Sequence, residues 1–196
     1  MNVPNTLTVS RLILAALMLA LLSIPPYPMV RSLAFILFVA AGLTDYFDGY
    51  LARNVYGVTS FGKLMDPLAD KVMVCAAFVS FVELQLVPAY IVVIIIAREF
   101  LVTGLRLLAG GKGQIISAGK WGKHKTVWQI VAIVIILLAI AVRHDVFRHA
   151  DPAFLANYDE AVGYIAYAIS VAVALITVAS GYLYFTEHRD VMSRHM

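Results

Sequence analysis

Four aspartates, Asp45, Asp48, Asp66 and Asp70, fall within 26 residues of a chain that is otherwise 62% hydrophobic. Ionised groups near a bilayer are costly, so such a cluster marks a functional site by default. The motif runs Asp45, Asp48, Gly49, Ala52, Arg53, then eight residues, then Gly62, Asp66 and Asp70. Asp45 and Asp48 are three apart and project from one side of a helix, as do Gly62, Asp66 and Asp70 at a spacing of four. Gly49 lies four after Asp45 and Ala52 four after Asp48. Neither has a bulky side chain, so a groove is left where a nucleotide or a phosphate can approach the backbone. Arg53 follows as a phosphate clamp. Thr59 has two readings: with Ser60 it is an N-cap for the second helix, or its hydroxyl donates to a phosphate. Pro67 removes one backbone donor near the start of that helix.

Four carboxylates at one membrane edge repel each other and must bind protons or cations. An all-oxygen set with no Cys or His suits Mg²⁺ or Mn²⁺ rather than Zn²⁺. Two pairs of acids on two helices suit two ions close together, the arrangement used for in-line phosphoryl displacement. A structural ionic network with Arg53, Lys63 and Lys71 is one alternative. A divalent-cation or proton pathway in a small transporter is another. Against the second, Arg53 beside the acids opposes cation passage, and no internal repeat is visible.

The elements that must position these residues are membrane helices. Only 14% of the 196 residues are charged and the mean hydropathy is +0.86, which fits an integral membrane protein and not a soluble domain. Apolar stretches fall at about residues 7–24, 31–51, 64–82, 86–109, 126–142 and 161–185, each near the roughly 20 residues that cross a bilayer as a helix. Residues 143–160 read as a polar loop, and residues 1–196 as a single membrane domain. The first stretch reads as a retained span, because Arg11 lies inside it and Pro25 and Pro26 follow where a cleavage site would be wanted. With the N-terminus inside, that side holds nine basic residues: Arg53, Lys63, Arg106, Lys112, Lys120, Lys123, Lys125, Arg189 and Arg194. The other holds Arg31, Arg143 and Arg148, so both termini and the aspartates are expected to be cytoplasmic. The pI of 9.0 then reflects topology and contact with anionic lipid, not nucleic-acid binding. Cys75, the single cysteine, rules out an internal disulfide and reads as a small buried residue. Tyr27, Tyr158, Tyr164, Tyr182, Tyr184 and Trp128 read as interfacial anchors, and Met65 and Met73 as packing.

The pattern D-x2-D-G-x2-A-R-x8-G-x3-D-x3-D, met here at all eight fixed positions, resembles the signature of the CDP-alcohol phosphatidyltransferases. Pro4 through Arg11, Ile96-Ala97-Arg98-Glu99 with Leu105-Arg106, and Gly122-Lys123-His124-Lys125-Thr126 with Gln129 resemble the phosphatidylglycerophosphate synthase branch of that family. The resemblance implies six transmembrane helices around a polar cavity open to the cytoplasm, in a homodimer. It implies that Asp45, Asp48 and Asp66 bind metal, and that Asp70 binds metal or takes the proton of the attacking hydroxyl. It puts Gly49, Ala52, Arg53, Thr59 and Gly62 against the CDP-lipid, together with Thr8 and Arg11. The implied reaction transfers the phosphatidyl group of CDP-diacylglycerol to sn-glycerol 3-phosphate, giving phosphatidylglycerophosphate and CMP. Transfer to another alcohol, such as inositol phosphate, is the alternative within the family.

A phosphorylated acceptor requires a second cationic pocket. Arg98 and Arg106, roughly 12 Å apart along one helix, with Lys123 and Lys125, are the candidates. Pairing with Glu99 is the plain alternative for Arg98, and positive-inside anchoring for the lysines. His124 reads as a solvated loop residue.

Overall fold

The computed structural model describes residues 3–51, 60–111 and 120–187, with side chains described for 9–44, 65, 68–69, 71–106 and 125–186. These residues form helices α1 (Val3–Ser23), α2 (Val30–Leu51), α3 (Ser60–Glu83), α4 (Ala89–Gly111), α5 (Lys120–Ala141) and α6 (Pro152–Glu187), with no strand among them. A π turn, Val142–Val146, extends α5.

The distribution of polarity suits a lipid solvent. Val93, Leu175 and Leu101 are about 60% exposed on helix exteriors, whereas Ser80, Glu99, Lys125, Gln129 and Thr177 are buried. Exposed apolar area on this scale has no place on a soluble surface. Small residues at the contacts (Ala15, Ala34, Ala41, Ala77, Ala132 and Ala166, all within 1% of full burial) let the helix backbones approach closely. Among the described residues, two helices, Lys125–Val146 and Pro152–Thr186, are long and apolar enough to cross a membrane, and Val9–Ser23 and Val30–Thr44 are shorter apolar helices. The middle of α4 carries two charged residues, Arg98 and Glu99, within an otherwise apolar sequence.

Side-chain bonds at one end of the bundle fix the helix directions. Ser23 at the end of α1 donates to Glu83 at the end of α3, 2.9 Å. Asp145 accepts from the Met29 and Ser32 amides (2.9 and 2.8 Å) and from the Ser32 hydroxyl (2.6 Å), capping the start of α2 from the end of α5. Arg31 donates to the carbonyls of Leu21, Leu22 and Ile24, which closes the last turn of α1. Tyr158 near the start of α6 donates to the Ala139 carbonyl, 3.1 Å. The ends of α1, α3 and α5 thus share one end of the bundle with the starts of α2 and α6. At Gln85, φ 58°, the chain leaves α3 with the Leu86 amide on the Phe81 carbonyl, 2.9 Å, and turns into α4.

The expected polar loop at 143–160 is largely helical. Asp151 Oδ2 accepts from the Ala153 amide at 3.0 Å, Pro152 occupies the first helical position, and α6 therefore begins nine residues before the expected span. Arg143 pairs with Asp159 through Nε, 2.5 Å, and Nη2, 2.8 Å, and Phe147 stacks edge-on against Phe154 and Tyr158. At 36 residues, α6 is longer than a bilayer needs, and its first turns are polar and exposed.

Candidate active site

The aspartate motif occupies the linked ends of α2 and α3. Asp45, Asp48 and Gly49 lie in the last two turns of α2, and Gly62, Asp66 and Asp70 in the first half of α3. Ala52, Arg53 and Thr59 lie outside the described residues, as do the side chains of the four aspartates and of Thr8 and Lys123. α1 packs against both α2 and α3. Among the described residues, no three His, Cys, Asp or Glu side chains converge on a common point.

One turn deeper there is a cavity of about 170 Å³. Ala41 and Gly42, four and three residues before Asp45, line it from α2; Met73 and Val74, three and four after Asp70, line it from α3. By helical register these positions continue the stripes that carry the aspartates. A Cβ added at Gly42 would meet nothing within 4 Å, so the wall of α2 is open there. The polar wall comes from Arg11 on α1, Lys71 on α3, Glu99 on α4, and Thr126 and Gln129 on α5.

Glu99 is the hub of that wall. It is 2% exposed and forms an ion pair with Lys125, also 2% exposed. Lys71 Nζ lies 2.5 Å from Glu99 Oε2, Arg98 Nη1 3.8 Å from Oε1, and Gln129 Nε2 donates to Oε1 at 3.2 Å. A buried charge survives only when paired and hydrogen-bonded, and here one carboxylate serves three cations. Lys71 thus has a partner other than the aspartates it was weighed against.

Arg98 turns its other nitrogen to α6, where Nη2 donates to Ser180 Oγ at 2.9 Å and Ser180 in turn donates to the Thr177 carbonyl. Its stem lies on Gly181; a Cβ there would sit 3.1 Å from Arg98 Cγ. The Arg106 guanidinium lies over the Tyr184 ring, 5.2 Å from its centroid. Tyr184 is therefore buried and not an interfacial anchor, while Tyr27, Tyr164, Tyr182 and Trp128 are exposed. Tyr158 is half-buried and hydrogen-bonded. Met73 packs in the core, and Cys75 is only half-buried.

Of the expected site residues, the fold brings Arg98 and Lys125 together at Glu99, puts Arg106 on the same α4–α6 seam as Arg98, and places Arg11 in the cavity beside Glu99. Sequence reasoning gave no role to Ser180, named Gln129 only within the family resemblance, and weighed Glu99 only as a partner of Arg98 and Lys71 only as a partner of the aspartates. One signal was available: Glu99 is itself an ionisable residue in an apolar span, and Gln129 lies four after Lys125, on the same face of α5.

The sequence profile of the CDP-alcohol phosphatidyltransferase family matches residues 1–179. The chain is 37% identical to the CDP-diacylglycerol–glycerol-3-phosphate 3-phosphatidyltransferase of Bacillus subtilis (strain 168), with 97% of each chain covered. It is 34% identical to the protein of the same name from Rickettsia bellii, over 94% of this chain and 93% of the relative. The Haemophilus influenzae protein of that name is 39% identical over 67% of this chain and 73% of its own.

Proposed function

The chain belongs to the CDP-alcohol phosphatidyltransferase family, and from that premise we propose that it transfers the phosphatidyl group of CDP-diacylglycerol to sn-glycerol 3-phosphate, releasing CMP. The observation that carries this reading is the intact eight-position motif in a chain similar over nearly its whole length to relatives of that one name. We read residues 1–196 as one membrane domain whose six helices cross the bilayer, with the motif, the cavity and both termini on the cytoplasmic side, as a homodimer. The lipid substrate then reaches the site from the bilayer and the soluble acceptor from the cytoplasm.

Asp45, Asp48, Asp66 and Asp70 fit divalent ions, Mg²⁺ or Mn²⁺, by the chemistry of their oxygens and their placement on two linked helix ends. Bound ions supply neutralisation of charge on the pyrophosphate as CMP leaves. Gly49, Ala52 and Gly62 keep the approach to the helix backbones open, and Arg53, Thr59, Thr8 and Arg11 hold the CDP-lipid. Asp70 takes the proton of the acceptor hydroxyl as its oxygen bonds to the phosphorus bearing diacylglycerol. The bond from that phosphorus to the CMP oxygen breaks in line, and its electron pair leaves with CMP. Arg98, Arg106, Lys123 and Lys125 receive the acceptor's own phosphate.

The test offers purified protein CDP-diacylglycerol with a panel of alcohols and identifies the lipid made. Phosphatidylglycerophosphate and CMP are expected with sn-glycerol 3-phosphate. A different phospholipid would reassign the acceptor, and no CMP with any alcohol would end the enzyme reading in favour of a transporter.

A further inference from the structure

We propose that the cavity at the end of the bundle opposite the aspartate motif is a lipid site, built for a phospholipid with a zwitterionic aminoethyl phosphate headgroup. The proposal rests on the reading above that the helices cross the bilayer and does not depend on the acceptor.

The cavity measures about 240 Å³. Leu84 and Leu86 beyond α3, Ile140 near the end of α5 and Val162 on α6 form its apolar walls. Its polar wall is Arg143 and His144 of the π turn with Asp159 of α6. In that turn the Phe147 amide reaches back to the Val142 carbonyl, 2.9 Å, and a widened turn of this kind recurs at functional sites. The polar wall retains hydrogen-bonding capacity. Arg143 uses Nε and Nη2 on Asp159, and its Nη1 has no partner among the described residues. The half-buried His144 ring has no hydrogen-bond partner among them either. The Asp159 side chain is 52% exposed, so its carboxylate can accept further bonds. Two other charges at this end, Arg31 and Asp145, are hydrogen-bonded to the backbone and do not line the cavity.

The lining thus presents one cation and one carboxylate side by side. An anion alone would face the Asp159 charge, and a cation alone the Arg143 charge. A zwitterion matches both without breaking the pair. Its phosphate accepts from Arg143 Nη1 and a His144 ring N–H, its ammonium donates to Asp159, and four charges alternate around one ring. A primary ammonium suits Asp159 better than a quaternary one, which has no N–H to donate. The depth suits a lipid. From Lys125 to His144 the helix rises roughly 28 Å, close to the roughly 30 Å of bilayer hydrocarbon. With Lys125 near one face, the cavity lies at the headgroup level of the other, and its apolar walls meet the glycerol and the first methylenes.

Thermal unfolding of the purified full chain in detergent is measured with phosphatidylethanolamine, phosphatidylcholine, phosphatidylglycerol or soluble glycerophosphoethanolamine added. Phosphatidylethanolamine should raise the unfolding temperature saturably by about 3 °C or more. The other two lipids, and the soluble headgroup at the same concentration, should give less than half that shift. Val162→Trp fills the cavity without touching its charges and should abolish the phosphatidylethanolamine shift. Asp159→Asn should reduce it to the phosphatidylcholine level. Equal shifts with all three lipids would mean general solvation of the bundle and overturn the proposal. A phosphatidylglycerol shift as large as that of phosphatidylethanolamine would leave a plain phosphate site and overturn it too. A soluble headgroup as effective as the lipid, or a shift that survives either variant, would do the same. Should one variant fail to fold, the other decides. A chain recovered from cells without detergent in the soluble fraction defeats the membrane reading and this site together. A chain extracted from membranes that shows no lipid shift defeats this site alone.

Discussion

An aspartate beside another aspartate in an apolar chain stays ionised only if something cationic is bound to it. Activity should therefore vanish when a chelator strips divalent metal and return with added Mg²⁺ or Mn²⁺. Full turnover in metal-free buffer would reject the two-metal assignment. Within the cluster Asp70 is given a different duty. Asp70→Asn preserves shape and removes the charge, so turnover should fall by roughly 10²-fold or more, the scale of a lost general base. CDP-lipid binding should persist, since Asp45, Asp48, Asp66 and Arg53 are intact. An Asn variant with near wild-type turnover would move the base elsewhere. What the sequence made legible here is the pair of helices that carry these four residues, α2 and α3. The lysine partners of Glu99 were not legible. Lys71 lies 28 residues before it and Lys125 26 after it, and only the packing of three helices decides that they meet.

At the level of elements, the closeness of α4 and α6 is set by Gly181 against the Arg98 stem. Gly181→Ala puts a carbon 3.1 Å from Arg98 Cγ and 3.3 Å from Nε, so the arginine must shift while Ser180 pulls it back. The acceptor KM should rise about three- to tenfold with the CDP-diacylglycerol KM and the unfolding temperature little changed. A KM unaffected by the methyl would take Arg98 out of the acceptor pocket. The other end of the bundle should behave oppositely. Asp145→Ala leaves the Met29 and Ser32 donors at the start of α2 without their acceptor, and a lost helix cap costs about 1–2 kcal/mol. Unfolding in detergent should report that loss, and both KM values should hold. Helix positions followed from the apolar stretches, whose bounds agree with α1 to α3 to within about four residues. The start of α6 was missed because its first turns are polar. Asp151 and Pro152, a capping residue followed by proline at the first helical position, were the local signal for it.

For the whole molecule the decisive question is which side of the bilayer the motif faces. The proposed acceptor is soluble and charged, so the proposed reaction requires the ends of α2 and α4 and the starts of α3 and α5 to face the cytoplasm. Nine basic residues against three point the same way. The structure engages cations on both sides: Lys125 is buried on Glu99 and Arg106 lies over Tyr184. Two of the three opposing cations are engaged within the fold: Arg31 is buried on the last carbonyls of α1, and Arg143 is paired with Asp159. Arg148 remains as an exposed charge on that side. Orientation can be read directly, because Cys75 is the only cysteine to remove first. In a Cys75→Ser background, Tyr27→Cys and Arg148→Cys should react with a membrane-impermeant maleimide on intact cells, whereas Ser193→Cys should react only after lysis. Tyr27 and Arg148 are both exposed, so failure to label them would not come from burial in the bundle. The reverse pattern would put the aspartates and the Glu99 pocket on the outer face, away from any cytoplasmic acceptor, and the proposed reaction could not stand in that membrane.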